Sequence, residues 1–336
     1  MAYIFHLTGE NETLPKAEVL SVLESMHINF KVIHTYDQVL ILEADDLGDV
    51  PKRLGMTHGI YEYIGSCPPN FKDILSLSKN ATGYATDDFA VRIKRIKDNS
   101  QDIKRDVLEQ QIGKVIGKRV NLSQPSCMVV GFLTNNFVLG ILIHLIIGVR
   151  NPSRHPKERP FFHPGVLLPK TARTLVNLTR IKPGDNFIDP FCGTGSLLIE
   201  AALIGSRTFG FDIDSNMVSG SKRNLEYYGL KNFKIKRADA RDLWKEYSNF
   251  FDAIATDPPY GISSSTKGLG LDELFKDSIE CLYKMLKNGK YACLVSPHTV
   301  RVEELAETTG FCVIEIHYEK IHRSLTRKIL VLQKWR

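Results

Sequence analysis

The sequence predicts an α/β protein: a doubly wound, Rossmann-like sheet fills the C-terminal half, with smaller α+β units in front of it. Three observations carry that prediction. Asn186-Phe187-Ile188 is a short apolar strand that runs into Asp189-Pro190-Phe191-Cys192-Gly193-Thr194-Gly195-Ser196 and then into the helical run 197–203. Strand, glycine turn and helix form the first step of such a sheet. Two further strands end on acids, Phe209-Gly210-Phe211-Asp212 and the strand around Phe233 and Ile235 before Asp239. Last, an apolar strand of Phe251, Ala253, Ile254 and Ala255 opens into Asp257-Pro258-Pro259-Tyr260-Gly261.

The 336 residues allow two or three domains, and a 43% hydrophobic content suffices for their cores. A strand at 3–7, a helix at 16–25, strands near 31–33 and 39–42 and a helical stretch at 50–55 give a first α+β unit, 1–54. A strand at 88–96, a helix at 103–116, the turn Asn121-Leu122-Ser123-Gln124-Pro125 and β-rich runs at 127–133 and 136–144 give a second, 55–148. The Pro-rich, charged run Arg150-Asn151-Pro152-Ser153-Arg154-His155-Pro156-Lys157-Glu158-Arg159-Pro160 is poor in apolar residues and reads as an interdomain linker, 149–163, ahead of a catalytic half, 164–336. Deleting residues 1–150 is therefore expected to spare whatever the C-terminal half binds.

The longest apolar stretch, 137–149, is too short to span a bilayer, and the N-terminus lacks a basic region followed by an apolar core, so a soluble cytoplasmic protein is expected. Six scattered cysteines without a C-x-x-C pair argue against a zinc site or a disulfide framework; no metal is expected. The net charge of +6 is unevenly spread. Residues 1–54 carry four basic side chains against nine acids, whereas 55–160 carry fifteen against nine. Within that segment Arg92, Lys94, Arg95, Lys97, Lys104, Arg105, Lys114, Lys118 and Arg119 suit a phosphate-tracking patch or a merely solvated face.

The acids suggest specific chemistry. Asp189 can take the ammonium of an amino-acid moiety, Asp212 sits where a ribose hydroxyl pair is held, and Asp239 can meet an adenine amino group. A dinucleotide fingerprint wants a third glycine where Leu198 stands, and no phosphate-loop lysine follows the glycines. At the D-P-P-Y turn, the Asp257 carboxylate and the Pro258 carbonyl can each accept an N–H from an amine on a planar ring, while Tyr260 offers a stacking face. The plainer reading of the pentapeptide is a rigid Pro-Pro turn with a helix-capping aspartate.

These pieces, in this order, resemble the class I S-adenosylmethionine (SAM)-dependent methyltransferases. Phe89-Ala90-Val91-Arg92-Ile93-Lys94-Arg95, the helix ending in Ile116-Gly117 and the Asn121-Leu122-x-x-Pro125 run resemble a THUMP domain behind a ferredoxin-like domain. With Arg159-Pro160-Phe161-Phe162-His163-Pro164-Gly165 and His322-Arg323-Ser324-Leu325-Thr326-Arg327, the chain resembles the archaeal tRNA (guanine(10)-N2)-methyltransferase family end to end. The resemblance implies SAM held by Asp189, the Gly193-Thr194-Gly195 turn, Asp212, Asp239 and Ala240, with His163, Pro164 and Gly165 at its methionine end. It implies Asp257, Pro258 and Tyr260 at the reacting base, and tRNA gripped by Arg92, Lys94, Arg95, Lys118, Arg119, Arg323 and Arg327. Residues 322–327 read in the ordinary way as a basic hairpin turn, which is compatible with that role. The product would be N2-methylguanosine or its dimethyl form at position 10. The other readings are guanosine 6 of the acceptor stem, DNA N-methylation, or a tRNA-binding protein without turnover. The resemblance implies a protein expected to act alone, as the archaeal-type enzymes are, although eukaryotic relatives require a small zinc-binding activator. Cys192, inside the glycine turn, is expected to pack and not to act as a nucleophile.

Overall fold

The computed structural model describes every residue except 87, 151, 260–270, 323, 324 and 336, together with all side chains of those residues but that of residue 150. The chain runs β1 (Ala2–Leu7), α1 (Leu14–Ser25), β2 (Phe30–Tyr36), β3 (Val39–Ala44), the single turn α2 (Val50–Arg53), β4 (Thr57–Cys67), α3 (Phe71–Ser78), β5 (Asp88–Arg95), α4 (Arg105–Ile116), β6 (Arg119–Val120), β7 (Cys127–Leu133) and β8 (Phe137–Leu145). It continues with α5 (Pro169–Leu178), β9 (Asn186–Asp189), α6 (Ser196–Ile204), β10 (Arg207–Asp212), α7 (Ser215–Tyr227), β11 (Phe233–Arg237), the turn α8 (Trp244–Tyr247), β12 (Phe251–Thr256), α9 (Leu271–Met285), β13 (Leu286–Pro297), α10 (Val302–Thr309), β14 (Phe311–His322) and β15 (Leu325–Lys334).

Two compact units result, and they are not consecutive in sequence. The first holds 1–12, 28–52 and 57–147, and the second holds 13–27, 53–56 and 148–336. Among the described residues the first unit is built on one eight-stranded sheet ordered β2-β3-β1-β4-β8-β7-β5-β6. No break in the ladder occurs at residue 54, where two units were expected to meet. β1 pairs antiparallel with β3 on one side and with β4 on the other, so β4 continues the sheet toward β8. The parallel pair β5 and β7 is joined through α4. Apolar positions of α4 at 108, 112 and 116, spaced four apart, put Leu108, Ile112 and Ile116 on one face against Phe89, Ile93 and Val129. Gly117, at φ +71°, ends the helix in the left-handed conformation that favours glycine.

The second unit is the expected doubly wound sheet, ordered β11-β10-β9-β12-β13-β15-β14. Strands β11 to β13 are parallel, and β15 runs antiparallel between β13 and β14. β14 and β15 form the hairpin read from 322–327, although its residues 323 and 324 lie outside those described. Parallel strands deliver their C-terminal ends to one edge of the sheet, and β9 is flanked there by β10 and β12, the point where successive connections diverge. That is the usual ligand crevice of an open α/β sheet.

Helix α1 belongs to this second unit, which the sequence reading did not anticipate. Leu14 and Ala17 join Leu175, Val176 and Leu178 of α5 in one core. Glu18, with no exposed surface, accepts hydrogen bonds from the amides of Gly55 (2.9 Å) and Met56 (2.7 Å), the hydroxyl of Thr174 (3.1 Å) and the Nδ2 of Asn177 (2.9 Å). Burial still raises its carboxyl above the ordinary range, against the pull of those donors. Arg53 donates to Asn177 Oδ1 (3.0 Å) and to the Ile181 carbonyl (3.1 Å), and burial lowers its guanidinium to about 10. The expected linker is likewise packed. Its short helical turns end in Arg159, whose Nη1 donates to Ser196 Oγ (2.8 Å), and Arg154 pairs with the buried Glu200, which Arg173 also holds (2.7 Å). A buried carboxylate on α6 needs such cations, which is why this Pro-rich stretch is fixed and not a free tether.

Candidate active site

The glycine turn after β9 is built by what glycine permits. Gly193 (φ +49°) and Gly195 (φ +84°) take the left-handed region, and a side chain on Gly193 would project into open space. At Gly195 an added methyl would press on Leu225 and Ser221 of α7, so α6 and α7 approach closely there. Asn224 of α7 fixes the turn from behind: its Nδ2 donates to the carbonyls of Thr194 (2.9 Å) and Phe161 (2.9 Å), and its Oδ1 accepts from the Phe161 amide (2.9 Å). The absence of a side chain at Gly220 leaves room for the Phe161 ring, and Arg223 lies 5.6 Å from that ring's centre. Phe161 is thereby tied to the glycine turn. His163, Pro164 and Gly165 are exposed, with His163 Nδ1 2.8 Å from the Pro164 carbonyl and Gly165 at φ +85°.

Asp189 is buried at the end of β9. Its Oδ1 accepts from the Thr256 hydroxyl (2.7 Å) and the Phe191 amide (3.1 Å). Burial, with smaller repulsion from Asp257 and Asp212, pushes this carboxyl up to about 7. Thr256 closes β12, so its hydroxyl joins the two motifs that the sequence showed apart. Asp212, at the end of β10, accepts from the Gly193 amide (3.0 Å) and the Asp214 amide (2.9 Å), and burial raises it as well. Three carboxylates thus converge on one sheet edge with both glycines. The arrangement fits SAM: a buried carboxylate whose charged form burial disfavours would gain from an ammonium beside it, and the open space at Gly193 lets a ligand approach the backbone. Asp239 stands differently, because Arg241 holds it in a bidentate pair (3.0 and 2.7 Å). An adenine amino group there would share the carboxylate with that guanidinium. Ala240 is buried, and its carbonyl accepts from Cys281 (2.9 Å). Cys192 is buried, its thiol raised by burial and by Asp189 and Asp212, which suits packing and not nucleophilic attack.

Asp257 and Pro258 follow β12, and Pro258 is buried. Tyr260 and Arg323 lie outside the described residues. Arg327, expected to meet RNA, has its Nη2 3.4 Å from Asp257 Oδ2 and its Nη1 3.6 Å from Glu319 Oε2.

In the first unit most of the expected RNA contacts are engaged internally. Arg92 donates to the carbonyls of Val91 (2.9 Å) and Leu122 (3.4 Å), and Lys94 to the Tyr61 hydroxyl (3.2 Å). Arg95 donates to the carbonyls of Ser100 (3.1 Å) and Ile103, and Lys118 to that of Ala85. Arg119 is exposed, as are Lys104, Arg105 and Lys114. Of the cations named from the sequence, Lys104, Arg105, Lys114 and Arg119 are thus exposed on α4 and its flanks, and Lys97 is exposed in an ion pair with Asp37.

Among the described residues no helix is long and apolar enough to cross a membrane, and no group of three or more His, Cys, Asp or Glu could hold a metal. Sequence reasoning missed Thr256, Asn224 and Arg159. An asparagine inside a helix, disfavoured there by propensity, was the one available signal for Asn224.

A family model described as "RMKL-like, methyltransferase domain" matches residues 156–329, and one described as "DNA methylase" matches 49–223, a span that ends before the Asp257 turn. The solved structure of TrmN from Thermus thermophilus superposes with a TM-score of 0.59 at 20% identity, covering 99% of this chain and 100% of that one, which is a likeness of fold. A tRNA (guanine(10)-N2)-dimethyltransferase of Methanothermobacter thermautotrophicus is 38% identical over 98% of both chains, and one of Pyrococcus abyssi is 35% identical over 99% of both. With that identity from end to end, and a catalytic-type sheet edge to match, the chain belongs to the tRNA (guanine(10)-N2)-dimethyltransferase family.

Proposed function

We propose that this chain methylates the exocyclic N2 of guanosine 10 in tRNA, using SAM, to give N2-methylguanosine and then N2,N2-dimethylguanosine. The observation that carries the reading is the full-length similarity to relatives bearing that name, joined to Asp257 on the same sheet edge as Asp189 and Asp212. SAM supplies an electrophilic sulfonium methyl. Asp189 holds the ammonium, the Gly193 to Gly195 turn lets the backbone approach, Asp212 takes the ribose, and Asp239 with Ala240 flanks the adenine. His163, Pro164 and Gly165 border the methionine end.

The guanine amine is a poor nucleophile because its lone pair is delocalised into the ring. Acceptors at Asp257 and at the Pro258 carbonyl redirect it by holding its two N–H bonds, and the carboxylate stabilises the positive charge that grows on nitrogen. The proton then leaves without a strong base. Guanosine N2 faces the minor groove of a tRNA helix, so the base must be extruded, at a cost of roughly a few kcal/mol, with Tyr260 as its stacking partner. The N-terminal segment, read as ferredoxin-like (1–54) and THUMP (55–148) regions, offsets that cost through phosphate contacts from its exposed cations. The protein works alone in the cytoplasm.

Mass spectrometry of nucleosides, with site mapping, after incubation of the purified protein with SAM and a tRNA transcript tests the reading. N2-methylated guanosine at position 10 is expected. Modification of another guanosine, or of adenosine, refutes the substrate assignment.

A further inference from the structure

Arg327 was expected to reach for RNA, yet its side chain is only 14% exposed and its guanidinium lies between two carboxylates. Its place follows from the ladder: Arg327 pairs with Pro297 on β13 and with Glu319 on β14, at the end of β15 nearest the Asp257 turn. A planar guanidinium presents its donors in a rigid fork and can hold two carboxylates in fixed directions, whereas a lysine offers a flexible point charge. A phosphate-tracking cation, by contrast, stands in solvent.

We propose that Arg327 is a positioning residue for the Asp257 carboxylate, with Glu319 holding the other side of its guanidinium. The inference rests on the reaction assigned above and adds to it the group that keeps its central acid charged and aimed. The need is electrostatic. Asp189 from β9 and Glu319 from β14 both face Asp257 and repel it, and the Cys293 thiol of β13 feels the same carboxylate. Lys170 of α5 acts on Glu319. Like charges this close favour protonation of one member, and a protonated Asp257 could neither accept an amine N–H nor stabilise a developing cation. Arg327 counters that repulsion from β15, the strand that lies between β13 and β14. Its contacts are ion pairs, 3.4 Å to Asp257 and 3.6 Å to Glu319. Glu319, raised chiefly by burial, completes the bridge and fixes which way the guanidinium fork points.

The test compares wild type, Arg327→Ala, Arg327→Lys and Glu319→Gln for kcat, KM for a tRNA transcript, SAM affinity by calorimetry, and the pH profile of kcat. For Arg327→Ala we expect kcat to fall by about a hundredfold, the scale of losing one charge-stabilising group. KM for tRNA and SAM affinity should stay within about threefold, and the acid limb of the kcat profile should rise by about one pH unit. Arg327→Lys should recover part of kcat and of the acid limb, and Glu319→Gln should keep the limb while lowering kcat less than Arg327→Ala. A tenfold or greater rise in KM for tRNA with kcat preserved, and a salt dependence reduced by about one phosphate contact, would overturn the proposal in favour of RNA binding. Equal loss in the Ala and Lys variants with an unmoved acid limb would reduce Arg327 to a packing role. Wild type that forms no N2-methylguanosine would instead bring down the reaction assignment, and the proposal with it.

Discussion

Lowering the pH from about 8 to about 5.5 while SAM is titrated into the protein interrogates the buried carboxylate of Asp189 directly. In the protein alone that carboxyl sits at about 7, so over most of this range it carries a proton. An ammonium placed beside it favours the ionised form, and formation of the complex must then expel the proton. Each unit below about 7 weakens binding tenfold, or ~1.4 kcal/mol, so affinity should drop about thirtyfold by pH 5.5. The same shift acts on folding with a defined sign. A carboxyl raised in the folded state contributes stability that is fully present below its ordinary value of 3.8 and is lost as pH rises through about 7. SAM should therefore raise the melting temperature more at pH 8 than at pH 5.5. Calorimetry in two buffers of different ionisation enthalpy reads both the affinity and the proton released. Asp189→Asn should bind SAM about as weakly at pH 8 as wild type does at pH 5.5, with a flatter profile. An affinity independent of pH in wild type, or one that strengthens toward acid, would refute the ammonium assignment.

Asp257→Ala should abolish methyl transfer while SAM affinity changes little; a comparable loss of SAM binding would remove Asp257 from the base site. Glu18→Ala leaves two amides, a hydroxyl and the Asn177 amide without their shared acceptor, and should cost more than about 3 kcal/mol in urea denaturation. An effect below 1 kcal/mol would show that these donors find other partners, as buried groups seldom do. Deleting residues 1–150, which the sequence suggested would spare SAM binding, should instead yield a protein that neither binds SAM nor melts cooperatively, since it removes α1 and 53–56 from the second unit's core. Gly220→Ala gains up to ~1 kcal/mol of helix propensity but drives a methyl into the Phe161 ring. It should lower the melting temperature and weaken SAM binding several-fold; a rise in stability with unchanged binding would mean that 161–165 do not frame the site.

The C-terminal sheet was legible because its signals are local. A glycine turn must follow its strand and precede its helix, and each acid ends a strand whose apolar run can be counted. Asp189, Asp212 and Asp257 accordingly lie where their order implied. Three other features were hidden for physical reasons. The apolar residues of α1 record that the helix is buried, but not what it is buried against, so Leu14 and Ala17 gave no hint of α5. Arg92, Arg95 and Lys118 look the same in sequence whether they face solvent or bind a neighbouring carbonyl; only the backbone geometry decides. Asp239 and Arg241 are two residues apart, and nothing local says that their side chains turn toward each other. The hairpin of β14 and β15 was readable as a turn, whereas the meeting of Arg327 with Asp257 depends on a strand order that no periodicity encodes.

The divided second unit also sets the timetable on which the chain can fold. Glu18 leaves the ribosome more than 150 residues ahead of Thr174 and Asn177, the side chains that satisfy it. At ~5–20 residues per second that interval is on the order of 10–30 s. As they emerge, the 1–12, 28–52 and 57–147 segments can close their own sheet, while the intervening 13–27 must wait with Leu14, Ala17 and an unpaired carboxylate exposed. The second unit cannot close until its C-terminal residues have been made: it claims a piece of the first-made chain, so a single splice between the halves would divide its core.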